Sequence, residues 1–230
     1  MATSRISDIQ GFLEIAKYNW QNNLKLLPYQ EDDIEYLLEV ADTYNGALNL
    51  NCRGSGKTIE AIALALRLKS QMVLIFCPNR LKLKWAREIK KWTGEEAVVT
   101  TSDPYRRYSS WFPMKNRKRT FAKTRWFITN VEQLRIYDNV QMFNSMMSLR
   151  VLNPIVIIDE AHRLRNPNAK QSLGAHQLDP SIPKFLLTGT PVVNSAALSI
   201  FIIIIVRFPI KEGLYTIWSP IPDIITVFPR

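Results

Sequence analysis

The run Gly54-Ser55-Gly56-Lys57-Thr58 constrains this chain more than any other feature. It follows a short apolar segment, Ala47–Leu50, and opens a helical pattern in which Ile59, Ile62, Ala63 and Leu66 form one stripe. Strand, glycine loop and helix in that order make a phosphate-binding loop. Glycines are needed because backbone N–H groups must approach phosphate oxygens with no Cβ in the way. The positive end of the following helix adds attraction for the anion. Gly54, Ser55 and Gly56 would then cradle the phosphates, Lys57 would reach the β- and γ-phosphates, and the Thr58 hydroxyl would hold Mg2+. The strict pattern has glycine at position 51, where this chain has Asn51. The competing reading is a chance glycine–lysine turn before a helix.

Such a loop needs a sheet behind it. Met72–Cys77, Trp126–Thr129, Ile155–Ile158 and Phe185–Leu187 are rich in β-branched or large apolar residues and read as buried strands, with Ala97–Thr100 a shorter candidate. A second helical stripe, Leu81, Trp85, Ile89 and Trp92, lies between two of them. Strands alternating with helices predict an α/β fold, a mostly parallel sheet flanked by helices. Ligands of such sheets sit at the carboxyl ends of the strands. One strand, Ile155–Ile158, ends in Asp159 and Glu160. Mg2+ takes oxygen ligands and keeps several waters, so Asp159 alone can hold it. Glu160 can then orient or deprotonate an attacking water. Lys57, Asp159 and Glu160 are therefore the candidate catalytic residues. The chain has two histidines and two cysteines, too few for a zinc cluster.

Charge points to the partner. There are 30 Lys and Arg against 20 Asp and Glu, a net charge of +10, which favours a polyanion. Arg80, Lys82, Lys84, Arg87, Lys90 and Lys91 crowd one helix, and its inward apolar stripe predicts that these charges face solvent. Arg106, Arg107, Lys115, Arg117, Lys118, Arg119, Lys123 and Arg125 form a second cluster. Interleaved with Trp111, Phe112 and Phe121, it could track a phosphate backbone. Arg80, Lys82, Lys84, Arg117, Lys118 and Arg119 are the candidate nucleic-acid contacts, against the plainer alternative of a solvated charged face. Two cysteines cannot build a disulfide framework, so a reducing intracellular compartment is expected, cytoplasm, nucleoid or nucleus. Asp8 and Glu14 interrupt the first apolar positions, so no secretory signal is read there. Ile9, Phe12, Leu13 and Ala16 instead suggest a short amphipathic helix. The most apolar run, Ala196–Val206, has eleven residues. That is roughly half a membrane span, so no membrane partner is expected.

Taken in order, these segments resemble the Snf-type DNA translocases of helicase superfamily two. Leu27-Pro28-Tyr29-Gln30 resembles that family's adenine-recognition motif, and Gln30 stands 27 residues before Lys57. Gly54–Thr58 resembles motif I, Cys77-Pro78-Asn79 motif Ia, and Thr129-Asn130-Val131-Glu132-Gln133-Leu134 motif Ib. Asp159-Glu160-Ala161-His162, with Arg163-Leu164-Arg165-Asn166 after it, is similar to motif II of the DEAH-box kind. Leu187-Thr188-Gly189-Thr190-Pro191 with Asn194 is similar to motif III. The resemblance implies a RecA-like P-loop NTPase lobe that binds ATP and Mg2+ and works on double-stranded DNA. It implies that Gln30 contacts adenine, that Lys57, Thr58, Asp159 and Glu160 serve the phosphates, metal and water, and that His162, Thr188 and Thr190 couple nucleotide state to DNA. The family carries acidic residues just before motif I, where this chain has Asn51 and Cys52, and an apolar residue where it has Arg53.

The implied organisation is an N-terminal helical extension over residues 1–25, the ATP-binding lobe over 26–195, and a divergent or truncated tail over 196–230. No second lobe is visible, so one acting in trans or missing from the chain is expected, and hydrolysis by these residues alone should be weak. A non-catalytic module that holds ATP and DNA is the alternative. A small P-loop kinase would need a lid and an acceptor motif, and neither is found.

Overall fold

The computed structural model describes residues 25–101, 103, 105–112, 114–115, 118–119 and 124–189. The expected helix near Ile9–Ala16, the apolar run Ala196–Val206, and Arg117, Phe121, Lys123 and Thr190 lie outside the described residues.

Six strands form one parallel sheet: β1 (Gly46–Asn49), β2 (Val73–Cys77), β3 (Ala97–Val99), β6 (Trp126–Asn130), β7 (Ile155–Asp159) and β8 (Lys184–Leu187). Their spatial order is β1-β8-β7-β2-β6-β3. Two-residue strands β4 (Met114–Lys115) and β5 (Lys118–Arg119) pair antiparallel and apart from it. Helix α1 (Pro28–Tyr44) leads into β1, and α2 (Lys57–Arg67), α3 (Lys82–Thr93), α4 (Tyr137–Met147) and α5 (Lys170–His176) lie between successive strands. The fold is α/β, as the alternation predicts, and each of the six strands of the parallel sheet lies within about two residues of its expected place, whereas β4 and β5 were not expected.

Burial on both faces explains why β2 and β7 read as unbroken apolar runs. Val73 and Ile75 pack with α1, α2 and α3 through Ile34, Ile62, Trp85 and Ile89. Leu74 and Phe76 point to the other face, against Phe127, Val140, Phe143 and Ala175. Helix α2 is buried from Ile59 to Leu66, so its apolar character runs all round rather than along one stripe. Helix α1 starts with Pro28, where the missing N–H costs nothing, and ends at Asn45 in the left-handed region (φ 58°).

Two expectations are corrected here. Trp111 does not lie open for stacking on a nucleic acid. It is 0% exposed, with its ring edge-on to Phe127 at 5.3 Å and to Tyr108 at 5.0 Å. The large apolar area of an indole makes burial against the sheet the better solution, and it packs Tyr108, Trp111 and Phe112 onto the domain. Lys82 does not face solvent either. It is buried, and its Nζ donates to Thr100 O at 2.8 Å and Thr100 Oγ1 at 3.2 Å. Its flexible stem carries the ammonium across to the end of β3. Arg80, Lys84, Arg87, Lys90 and Lys91 are exposed as expected. Lys118 and Arg119 lie on β5.

Candidate functional site

Parallel register brings three strand ends level. Leu187 of β8 is the partner of both Asn49 at the end of β1 and Asp159 at the end of β7. The next residue, Thr188, donates its N–H to Asn49 O at 3.0 Å. The glycine loop after β1, the acidic pair after β7 and the threonine after β8 therefore share one edge of the sheet.

The loop has the geometry its sequence calls for. Gly54 and Gly56 take φ of 87° and 98°, a region that L residues adopt only with strain. A Cβ on Gly54 would meet nothing within 4 Å, whereas one on Gly56 would lie 2.2 Å from Gln30 Nε2. Gln30 is nearly buried and spans two elements. Its Oε1 accepts from Leu27 N at 3.0 Å and its Nε2 donates to Ser55 O at 3.0 Å. The Tyr29 hydroxyl donates to the same carbonyl at 2.7 Å. The start of α1 thus clamps the loop.

Lys57 donates to Asn51 O at 2.6 Å and Cys52 O at 2.7 Å, so its ammonium is folded onto the loop's own carbonyls. Burial pushes its pKa below the ordinary lysine value, against the pull of Glu60, Asp159, Cys52 and Glu160. Gly189 completes this wall: a Cβ there would stand 3.3 Å from Lys57 Nζ and 3.0 Å from Arg53 Cγ.

Asp159 accepts from Trp85 Nε1 at 2.9 Å on Oδ2 and from Glu160 N at 2.8 Å on Oδ1. Burial raises its carboxyl above the usual range, and these two donors oppose the rise. Glu160 holds a left-handed backbone (φ 52°), a conformation that is costly for a residue with a Cβ and is found at working sites. Its Oε2 lies 3.2 Å from His162 Nδ1, which is also 3.2 Å from Thr188 Oγ1. Burial holds the His162 pKa below 6.5, with Arg163, Arg165 and Arg53 adding to the effect and Glu160 opposing it. Glu160, His162 and Thr188 thus form a chain from the acidic turn of β7 to the end of β8.

Sequence reasoning missed a polar cluster under the loop. Asn51 Nδ2 donates to Asp33 Oδ2 at 2.7 Å and to Glu60 Oε2 at 3.3 Å, and Asn49 Nδ2 donates to Glu60 Oε2 at 2.6 Å. Asn49 Oδ1 in turn accepts from Asn51 N at 3.0 Å. The departure at position 51 thereby acquires a role, because the amide separates two buried carboxylates. The available signal was Glu60 itself, a charge inside a helix that is apolar all round. Trp85 was also missed, since its spacing marks it only as core.

The donor set fits Mg2+ with a nucleotide. Asp159 and Thr58 offer oxygen alone, which a hard cation prefers. Ser55 Oγ is buried in the loop and has no hydrogen-bond partner among the described residues.

A family model described as the SNF2-related domain matches residues 29–212. The DNA excision repair protein ERCC-6-like of Bos taurus is 29% identical over 176 residues, covering 74% of this chain and 14% of that protein. The DNA annealing helicase and endonuclease ZRANB3 of Homo sapiens is 30% identical over 203 residues, covering 84% of this chain and 17% of that protein. The chain therefore spans well under a fifth of the length of these curated relatives. Among solved structures, the Sulfolobus solfataricus SWI2/SNF2 ATPase core in complex with dsDNA superposes with a TM-score of 0.60 at 21% identity, covering 82% of this chain and 36% of that one.

Proposed function

The chain belongs to the SNF2-related family, and from that membership we propose that it is the ATP-binding motor lobe of a DNA-dependent ATPase that moves on or remodels double-stranded DNA. The observation that carries this reading is the convergence of Lys57, Asp159, Glu160, His162 and Thr188 at the level ends of β1, β7 and β8. Gln30 and Tyr29 shape the loop at the side where a base would lie. Lys57 leaves its carbonyl partners for the β- and γ-phosphates. When bound, Mg2+ held by Asp159 and Thr58 neutralises phosphate charge. Glu160 orients the attacking water and takes its proton. His162 and Thr188 pass the state of that glutamate to β8, with Thr190 the expected next link. A second RecA-like lobe, joined or in trans, supplies the remaining charge to the phosphates.

Binding of a fluorescent ATP analogue tests the nucleotide reading. Lys57→Ala should weaken it at least about tenfold, the loss of a little over 1 kcal/mol, because a half-buried ammonium no longer meets the phosphates. Equal affinity of the two chains would remove Lys57 from the site. DNA-stimulated hydrolysis, lost in Glu160→Gln, separates a motor lobe from a module that only holds ATP and DNA.

The DNA contacts rest on Arg80 and Lys84, which are exposed beside the carboxyl end of β2, and on Lys118 and Arg119 of β5. Such contacts go to phosphates and are independent of sequence. Anisotropy of a labelled duplex should show affinity falling steeply between about 50 and 200 mM salt. Arg80→Ala with Lys84→Ala should make that slope shallower, whereas Lys82→Ala should leave it unchanged, since that ammonium is occupied by Thr100. An unchanged slope in the double variant would move the interface elsewhere.

A further inference from the structure

We propose that Trp85 is a positioning residue for the metal carboxylate, its indole N–H holding Asp159 in the orientation from which it takes Mg2+. The inference rests on the reading of Asp159 as the magnesium ligand. Trp85 is 1% exposed and locked between α3 and the sheet, within the cluster that holds Ile75, Ile89 and Ile128. Its Nε1 has one polar partner, Asp159 Oδ2 at 2.9 Å. The terminal torsion of an aspartate is broad and soft, so a free carboxylate at a strand end would swing. Here each oxygen takes one donor, the indole on Oδ2 and Glu160 N on Oδ1. That fixes the carboxylate plane and leaves a lone pair on each oxygen for a cation. A buried indole usually finds an acceptor, and a backbone carbonyl would have served, although Trp111 Nε1 has none among the described residues. Trp92 and Trp126 satisfy theirs on Glu88 and Glu95, away from the glycine loop. Trp85 alone of these spends its donor on the acidic pair. It also sits on the helix that follows Arg80 and carries Lys84, so one side chain of that helix ties the basic face to the carboxylate at the end of β7.

The test is binding of the fluorescent ATP analogue to the full chain over a range of Mg2+ concentrations. In Trp85→Phe, binding without Mg2+ should equal that of the parent chain, because the glycine loop is untouched. The Mg2+ concentration for half-maximal tightening should rise about tenfold, the usual effect of losing a partner behind a metal ligand. In an Asp159→Asn background the same substitution should add nothing. Equal weakening with and without Mg2+ would mean that Trp85 is packing alone, and would overturn the proposal. So would an unaltered Mg2+ response in Trp85→Phe. If the parent chain itself ignores both Mg2+ and Asp159→Asn, the magnesium reading of the site falls and this inference falls with it. Should Trp85→Phe fail to fold, the indole N–H resonances of the unsubstituted protein decide. One resonance should move when Mg2+ joins bound ATP, and the same one should move in Asp159→Asn. No responsive indole resonance would overturn the proposal.

Discussion

Replacing Glu60 with glutamine should remove a fall in stability of about 2.5 kcal/mol that the parent chain shows between roughly pH 5 and 8. Glu60 is 0% exposed, and burial raises its carboxyl from 4.5 to about 7. Asn49 and Asn51 donate to it and Lys57 attracts it, while Asp33 repels it. The sum still favours the protonated form, since an ionised carboxylate with two amide donors has lost most of its hydration. Between its unfolded and folded pKa values the native state keeps a proton that the unfolded chain has released. Stability therefore falls as pH rises through that window, and the fall is complete above about 7. The Asp33 carboxyl is also raised by burial and adds to the same trend. His162 works the other way: its folded pKa is depressed, so its contribution is present above 6.5 and lost below. Glutamine keeps an acceptor for Asn49 and Asn51, but its amino group would sit at the position of Oε1, which has no partner among the described residues. That adds a cost of about 1–3 kcal/mol at every pH. The readout is accordingly the slope of stability against pH, from urea unfolding at several pH values, rather than stability at one. Parallel slopes for the two chains would show that Glu60 is ionised throughout.

The same cluster marks the boundary of what was legible in the sequence. Strand positions were readable because a sheet buried on both faces demands unbroken apolar runs, and Val73–Cys77 and Ile155–Asp159 have no other use for them. Asp159 and Glu160 were readable for the reverse reason, since carboxylates directly after such a run must sit at a strand end. Strand order was not readable. The placement of β8 between β1 and β7 depends on which helices cover which face, and it is what sets Thr188 beside the loop. Trp111 and Lys82 failed through long-range contacts. The partners of Trp111, Phe127 and Phe143, lie outside its basic stretch, and Thr100 is 18 residues from Lys82. Local pattern assigns a side chain to solvent or core by its neighbours in sequence, and neither residue is decided by those. Asn51 belongs to the same class: alone it is a departure from a glycine pattern, and only Asp33 and Glu60 on two helices give it a reason.

Alanine at Gly174 should lower stability by about 3 kcal/mol or more, although helix propensity argues for a gain. Gly174 lies inside α5, where alanine is favoured over glycine by about 1 kcal/mol. Its Cβ, however, would stand 1.8 Å from Leu134 O and 2.7 Å from Leu134 C. Both are backbone atoms, so no side chain can turn aside. Relief requires lifting α5 off the 3-10 turn Val131–Arg135 by about 1 Å or more, and a helix of seven residues has little stability of its own once undocked. The loss would spread towards the site. Gln171 of α5 accepts from Arg135 Nη2 at 2.7 Å and donates to Arg163 O at 2.7 Å, and Arg163 pairs with Glu132 at 3.0 Å. Docking of α5 therefore joins the turn after β6 to the segment after Glu160. At about 2–4 °C per kcal/mol for a domain of this size, the thermal midpoint should fall by roughly 10 °C. Leu173→Ala, next to it but half exposed, should cost far less. A midpoint for Gly174→Ala at or above that of the parent chain would mean that α5 rides clear of Leu134, and the close approach that ties these two segments together would have to be abandoned.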